Sequence, residues 1–283
     1  ERADAADVLD QFWQPDDLYA YIPIDSPQGS FCIAKYPVTN AQYARFLDRK
    51  NFENRDLWCN FPQYSEPGRD GQVSPLDSTS EQGWEWLQKE LEDKDNQVED
   101  GVLYPRYWRD ARFGVTRPSA PVVGVSWWEA NAYCRWLCDH WDELEEGCQE
   151  RPRPKLLRLP VEPEWELAAG GLEPKGRYAW DQGKVTTELD KILQRANIHE
   201  SQIQRTTPVW MYPQGASPAG VIDLSGNVWE WQANYDDKGR DWLGLRGGSW
   251  DFNPDYARVA NRDYNFPNDG YDSVGFRVVS PPV

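Results

Sequence analysis

Tryptophan places the strongest constraint on how this chain folds. The sequence has 16 Trp, 14 Tyr and 9 Phe against a single Met in 283 residues. Aromatic rings bury large areas, and the polar tips of Trp and Tyr suit a core built from short elements and loops. The 21 Gly and 22 Pro exclude a fold dominated by long helices. We therefore expect an α+β fold with much irregular structure, formed as a single domain over residues 1–283.

Charge and hydropathy exclude two classes of partner. The formal net charge is −17, whereas nucleic acids and anionic membranes attract basic surfaces. The apolar runs are all far shorter than the ~18 residues of a membrane span. We therefore expect a soluble protein that neither binds nucleic acid nor inserts into a membrane, and we interpret the acidic runs at 81–100 and 139–150 as solvated surfaces.

The cysteines and histidines limit the available metal and redox chemistry. The odd cysteine count, without a CxxC pair, is not typical of a disulfide framework or a zinc site. His140 and His199 are the two histidines, which are too few for an iron site. Reduced thiols favour a cytoplasmic location, and the start at Glu1 suggests a piece of a larger multidomain chain. The cysteines are Cys32, Cys59, Cys134, Cys138 and Cys148.

Local patterns predict short helices and strands. Strands are expected at 19–24, 31–34, 220–231, 245–250 and 274–279. Capping boxes at Thr39–Gln42 and Ser126–Glu129 begin two helices, the first running to about Arg49. A third helix begins at Pro163 and ends before Gly170. Residues 51–121, polar and rich in proline, are interpreted as an elaborated insertion within the domain, with one short helix inside 81–92.

Several motifs follow one another in a recognisable order. They resemble those of the formylglycine-generating-enzyme, or sulfatase-modifying factor, family over residues 19–279, which implies an elaborated C-type-lectin-like fold. One departure is Val161, where the family has a helix-capping Thr, so we expect a weaker cap there. The motifs are Tyr36-Pro37-Val38-Thr39-Asn40, Pro121-Val122-Val123-Gly124-Val125-Ser126-Trp127, Arg158-Leu159-Pro160 with Glu164-Trp165-Glu166, Gly226-Asn227-Val228-Trp229-Glu230-Trp231, Arg246-Gly247-Gly248-Ser249-Trp250, and Gly275-Phe276-Arg277.

The resemblance also shows what the chain lacks. The family's oxidases hold Cu(I) with two cysteines, since this soft metal prefers thiolates. Those positions fall on Phe252 and Ala257, and no cysteine follows Cys148. The related sulfoxide synthases require a histidine-built iron site, which two histidines do not supply. We therefore expect no copper and no enzymatic activity.

Residues 251–273 have an unusual composition within a C-terminal variable region at 246–279. Asp, Asn, Tyr, Phe, Gly and Ser crowd this segment, and Lys, Glu, Gln, Met and Trp are absent from it. It resembles the variable region of diversity-generating retroelement proteins, in which mutated adenine-rich codons cannot specify those five residues. The predicted framework is 246–250, Pro254, Arg258, 260–262, Pro267 and 275–277. The predicted diversified positions are Asp251, Phe252, Asn253, Tyr256, Asp263, Tyr264, Asn265, Phe266, Asp269, Gly270, Tyr271, Asp272 and Ser273.

The leading hypothesis is a non-enzymatic module whose diversified surface binds another protein. Tyr and Phe supply rigid contact area, and Asn, Ser, Gly and Asp adapt their hydrogen bonds, as in antibody loops. The alternatives are an ordinary polar segment closing the domain, an oxidase or related enzyme with a non-standard centre, and a fixed sensor domain of a larger signalling protein.

The family resemblance also implies structural Ca²⁺, a cation that oxygen ligands suit. The alternative for Glu230 is a buried carboxylate paired to an arginine. A second calcium site would begin at Asn197 and Ile198, with Glu200 and the carbonyl of Ile203 as further candidates. The first set of ligands is the carboxylates of Asp223 and Glu230 with the carbonyls of Gly226 and Val228.

Overall fold

The computed structural model describes residues 1–26, 29–68, 72–76, 80–144, 153–235 and 241–281, so Cys148 lies outside the described part of the chain. The α-helices there are α1 Arg2–Asp10, α2 Asn40–Ala44, α3 Arg49–Glu53, α4 Gln82–Glu92, α5 Trp127–Asp139, α6 Glu162–Ala168 and α7 Leu189–Leu193, and short 3-10 helices lie between and after them. The strands are β1 Tyr21–Ile24, β2 Phe31–Ala34, β3 Val98–Glu99, β4 Val102–Leu103, β5 Trp229–Tyr235, β6 Leu243–Arg246, β7 Arg262–Asn265, β8 Val274–Gly275 and β9 Val279–Ser280. This mixture of short helices and strands is the predicted α+β fold.

Two sheets are joined by the last residues of the chain. One sheet has the order β1-β2-β9 and the other the order β7-β6-β5-β8, while β3 and β4 form a separate hairpin. β8 runs parallel to β5, with Val274 opposite Trp229. Four residues later β9 pairs antiparallel with β2, with Val279 opposite Ile33. The predicted strand at 274–279 is therefore two short strands, because the chain crosses from one sheet to the other.

Aromatic rings fill the main core, as the composition predicts. Tyr43 of α2 stacks on Tyr133 of α5 with ring centroids 5.5 Å apart. Phe276, between β8 and β9, meets the same Tyr133 edge-on at 5.5 Å. All three side chains are fully buried. These contacts hold the end of the chain against both capped helices.

Both capping boxes form as predicted, but the first helix is shorter than expected. Thr39 caps α2, with Gln42 reaching back to the Thr39 backbone. The prediction that this helix runs to about Arg49 is wrong. Asp48 accepts the Lys50 N–H at 3.0 Å and so caps a separate helix, α3. The short polar side chain competes with the helix for backbone hydrogen bonds, which breaks one helix into two.

The cap of α6 is weak, as the departure at Val161 predicts. Val161 is the N-cap residue and its side chain makes no capping hydrogen bond. Glu164 supplies only half of a capping box, because its Oε2 accepts the Val161 N–H at 3.0 Å.

Two predicted strands in the second half are shorter than expected. Asp223, Gly226 and Asn227 have positive φ angles of 60°, 94° and 69°, so 220–228 is a series of turns and β5 begins at Trp229. β6 ends at Arg246 because Gly247 and Gly248 follow at φ 103° and 72°. Left-handed backbone interrupts an extended strand.

The predicted insertion at 51–121 packs against the main body through α4 and the hairpin. A side chain at Gly83 of α4 would meet the Trp128 ring of α5 at 3.2 Å, and Val102 and Leu103 of the hairpin are buried in the same core cluster as Trp128. The division of the chain into one domain with an insertion stays a prediction. None of the described helices is long and apolar enough to cross a membrane.

Candidate ligand-binding surface

Arg246, at the end of β6, ties down the segment that follows it. Its guanidinium donates to the carbonyl oxygens of Val259 at 3.1 Å and Asn261 at 3.3 Å. The same side chain pairs with Glu166 and lies 3.2 Å from Glu162, both on α6. Arg246 is 3% exposed. The buried Arg246 side chain therefore holds the backbone of residues 259–261 in place.

Arg277 anchors the other end of the segment. Its Nε and Nη2 each lie 2.6 Å from one oxygen of Glu230, and both side chains are fully buried. The guanidinium also donates to the carbonyl oxygens of Ala34 at 3.0 Å and Ile222 at 2.8 Å. Trp165 donates its indole N–H to Glu230 at 2.8 Å. This network joins both sheets and α6 at one point.

Gly248 and Trp250 also fix the backbone of residues 251–273. A side chain at Gly248 would lie 2.8 Å from the Tyr256 carbonyl oxygen, so the loop packs directly on this backbone. Trp250 donates its indole N–H to the Asp272 carbonyl at 3.1 Å, which links the two ends of residues 251–273. Among the predicted framework positions, those at 246–250 and 275–277 are buried.

Most of the predicted diversified positions lie at the surface. Five are exposed: Asp251, Asn253, Tyr256, Phe266 and Tyr271. Six are half-buried: Phe252, Asp263, Tyr264, Asn265, Asp269 and Asp272. We refer to these eleven positions as the outer face. Its backbone includes the edge strand β7, which pairs with β6.

Gly270 and Ser273 are corrections to the predicted contact set. Gly270 is buried, and a side chain there would meet the Gly124 carbonyl oxygen at 2.8 Å. Ser273 is 8% exposed, and its carbonyl accepts the Trp229 N–H at 2.8 Å. Both residues are held by backbone contacts with distant segments, so they support the outer face from beneath.

The outer face contains two aromatic groups. Phe252 and Tyr256 meet edge-on at 5.0 Å, and both pack against Trp229 of β5. In the second group, Tyr264 stacks on Trp242 at 4.5 Å, and Phe266 meets the same indole edge-on at 5.2 Å.

The sequence interpretation missed Trp242, because this residue lies outside the variable segment. The signal that could have identified it is its position shortly before the predicted strand that became β6. Because β6 pairs with β7, residue 242 lies beside residues 264–266. Trp229 likewise supports the first aromatic group from a neighbouring strand. Framework tryptophans therefore hold the outer rings in place.

The outer face is acidic. Residues 251–273 contain five aspartates and two arginines, and both arginines are engaged in ion pairs, Arg258 with Asp255 and Arg262 with Glu66. Burial raises the pKa of Asp272, and the neighbouring Asp251 raises it further. Aromatic rings and carboxylates that lie side by side are groups that attract cationic side chains.

The positions where the related oxidases hold copper have no thiol here. Phe252 packs on Trp229, and Ala257 is 1% exposed in a small apolar cluster with Tyr178. Among the described residues, no group of three His, Cys, Asp or Glu side chains is arranged to hold a metal ion.

In the first predicted calcium site, the Glu230 carboxylate has no free oxygen to offer a calcium ion. Both oxygens of this carboxylate bind Arg277, which is the alternative interpretation of this residue. Asp223 accepts a hydrogen bond from the Asn227 side-chain amide at 2.9 Å, and burial raises the pKa of its carboxyl to about 7. The Gly226 carbonyl accepts the Val228 N–H at 3.0 Å.

The second predicted calcium site retains free oxygen atoms. Asn197 Oδ1 and Glu200 Oε2 are buried and have no hydrogen-bond partner in the described part of the chain. The carbonyls of Ile198 and Ile203 accept hydrogen bonds from Ser201 and Arg205. An orphaned buried oxygen is costly unless an ion or water satisfies it, so this site fits calcium better than the first. Calcium itself stays a prediction at both sites.

Comparison with known proteins places the chain in a family. A model of the sulfatase-modifying factor enzyme 1-like domain matches residues 25–281. The hercynine oxygenase of Mycolicibacterium thermoresistibile is 26% identical over 292 residues, covering 92% of this chain and 52% of that protein. The inactive C-alpha-formylglycine-generating enzyme 2 of Mus musculus is 37% identical over 171 residues, covering 56% of this chain and 49% of that protein. The chain thus spans about half the length of these curated relatives.

A solved structure has the same architecture. Treponema denticola variable protein 1 superposes with a TM-score of 0.53 at 17% identity, covering 92% of this chain and 91% of that chain. At this identity the likeness shows the fold alone. The chain belongs to the sulfatase-modifying factor enzyme 1-like domain family and has its C-type-lectin-like α+β fold.

Proposed function

We propose that the protein is a non-enzymatic binding module of the diversity-generating retroelement type, whose outer face recognises a protein ligand. The observation that carries this proposal is the separation between an anchored frame and exposed side chains. Arg246 and Arg277 are buried and bonded at both ends of the segment, while Tyr256, Phe266 and Tyr271 are 40%, 48% and 46% exposed. Such a frame tolerates exchange of the outer side chains without a change of backbone.

Two findings support the proposal. Phe252 and Ala257 offer no thiolate where the family's oxidases bind copper. The fold matches that of Treponema denticola variable protein 1. The acidic, aromatic outer face suits a protein ligand with basic side chains, for which tyrosine supplies rigid contact area.

The gene locus provides the most direct test. We expect a neighbouring reverse transcriptase gene and a near-identical template repeat with adenines at the codons of the outer face. Variants within one strain should differ at exposed positions such as Tyr256 and Tyr271, and rarely at buried Gly270. A locus without these elements would leave a fixed interaction or sensor domain as the better interpretation.

A pair of libraries tests the structural part of the proposal. We expect most members of a library that varies the outer face to fold, and few members of one that varies the anchors. Circular dichroism and thermal unfolding of random members would measure both fractions. Equal losses in the two libraries would contradict the proposed division. The outer library varies Asp251, Asn253, Tyr256, Phe266 and Tyr271; the anchor library varies Arg246, Gly248, Trp250, Phe276 and Arg277.

An enzymatic function is the second candidate, since a hercynine oxygenase is among the relatives. The decisive assays incubate the protein with iron(II), O₂, a thiol and hercynine and measure hercynine consumption against free iron(II), and incubate it with Cu(I) and a cysteine-containing peptide and measure aldehyde formation. Turnover above that of the free metal ion in either assay would overturn the non-enzymatic proposal. We expect none, because neither Phe252 nor Ala257 offers the metal a ligand.

A further inference from the structure

A cavity of about 310 Å³ lies where the 51–121 insertion meets the end of the variable segment. Its lining includes Trp86 and Glu90 of α4, Tyr104 after the hairpin, Glu129 of α5, and Gly270. The backbone contact between Gly270 and Gly124 closes one side. This volume is at the lower end of the range for small-molecule sites.

Carboxylates are the majority of the charged groups in the lining. Glu90, Asp95 and Glu129 face one guanidinium, that of Arg106, which is exposed. Within the described residues, none of the three carboxylates forms an ion pair with a protein cation. Coulombic interaction with Glu90 adds to burial in raising the pKa of Glu129 to about 7. The lining therefore carries a net negative charge, because the guanidinium of Arg106 balances only one of the three carboxylates.

Glu129 is the most deeply placed of these groups. It is 4% exposed, and its Oε2 accepts the Ser126 backbone N–H at 2.7 Å in the capping box of α5. A buried carboxylate without a cation is costly, which a bound cation would offset. For comparison, the buried glutamates Glu162 and Glu230 lie beside the guanidinium groups of Arg246 and Arg277.

Gln97 provides a second, independent indication that the cavity binds a group with a hydrogen-bond donor. Its Nε2 donates to the Arg106 carbonyl at 2.6 Å. Its Oε1 is buried and has no hydrogen-bond partner in the described part of the chain. Such an acceptor requires an N–H or O–H donor from outside the protein.

The aromatic part of the lining distinguishes between kinds of cation. Trp86, Tyr104 and Leu103 contribute apolar and π surface to the wall. A hydrated divalent metal gains little from such surface, whereas an organic cation gains both apolar contact and attraction to the ring faces.

We propose that this cavity binds a small organic cation, an ammonium or guanidinium group on a short aliphatic chain. The cationic nitrogen would lie between Glu90 and Glu129 and donate to Gln97 Oε1. The aliphatic chain would lie along Trp86 and Tyr104. This site does not depend on the proposed function of the outer face, although Gly270, which supports that face from beneath, lines the cavity.

Isothermal titration with n-butylammonium tests the proposal, with butyrate as an anion of matched size and Ca²⁺ as a simple cation. We expect the wild-type protein to bind n-butylammonium and not butyrate. The double variant Glu90→Gln/Glu129→Gln should bind about tenfold more weakly or worse, since it loses charged hydrogen-bond acceptors. Glutamine at position 129 retains the capping box, so α5 is expected to remain folded.

The matched control is Glu85→Gln, which removes one charge from an exposed position on the same helix α4. It should bind n-butylammonium like the wild type, which separates a local effect from a change in net charge. The proposal is overturned if butyrate binds as well as n-butylammonium, if Ca²⁺ alone binds, or if the double variant retains wild-type affinity.

Discussion

The anchors Arg246 and Arg277 and the outer face lie in the same 32-residue segment, 246–277, but differ in burial and in hydrogen bonding. Arg246 and Arg277 are at most 3% exposed and bind backbone carbonyls of several elements. Tyr256 and Tyr271 are 40% and 46% exposed. The difference separates the buried, bonded residues that hold the fold from the exposed residues to which we assign ligand binding, so we expect each set to be changeable with little effect on the other.

The largest expected effect is the loss of the Arg277–Glu230 pair. Arg277→Met leaves a fully buried carboxylate without its cation, and breaking such a pair costs about 3–5 kcal/mol. Urea unfolding followed by tryptophan fluorescence would measure the change in free energy. Arg49→Met, at the exposed pair with Glu53, is the control and should cost less than about 1 kcal/mol. Similar losses in both variants would mean that the anchor has no special role.

The second test concerns the close packing of the outer segment on Gly248. Gly248→Ala places a methyl group 2.8 Å from the Tyr256 carbonyl oxygen at a φ of 72°. Gly183→Ala has a similar φ of 79° with nothing within 4 Å, so it isolates the backbone strain. We expect about 1–2 kcal/mol for Gly183→Ala and about 1–3 kcal/mol more for Gly248→Ala from overpacking. Equal costs would show that the loop does not pack tightly on this glycine.

Local features of this fold follow directly from the sequence. The capping boxes at Thr39 and Ser126 form as predicted, and Val161 gives the weak cap that its lack of a hydroxyl implies. Each depends on side chains three residues apart, so the local sequence contains the information that determines it. The strongly periodic α5 follows for the same reason, and the ordered motifs predict the family.

Features set by distant contacts could not be predicted in the same way. Gly270 and Ser273 match the composition of the outer face, yet backbone contacts with Gly124 and Trp229 bury them. Glu230 matches a calcium ligand, yet Arg277 binds both of its oxygens from 47 residues away. Periodicity and composition carry no information on such pairings.

Calcium provides a third test, which separates the second calcium site from the anchor. We expect chelation with EDTA to lower the midpoint temperature of thermal unfolding. If free calcium was tenfold above its Kd, its removal lowers the free energy of unfolding by about 1.4 kcal/mol. Asn197→Ala should abolish this dependence, because Asn197 Oδ1 is the buried oxygen without a partner. Asp223→Asn should leave it intact, since the first site does not fit the ion. An unchanged midpoint in the wild-type protein would reject calcium at both sites.

The smallest expected effect is at the outer face itself. Tyr271→Ser removes a ring that is 46% exposed, and exposed substitutions of this kind change stability by about 0.5 kcal/mol or less. Tyr43→Ser, at a fully buried ring of the main core, is the matched control and should cost several-fold more. Urea unfolding of both variants measures the difference. If Tyr271→Ser lowered the free energy of unfolding nearly as much as Tyr43→Ser, the outer rings would be part of the structural core. Exchange of these residues would then destabilise the fold, which contradicts a diversified surface.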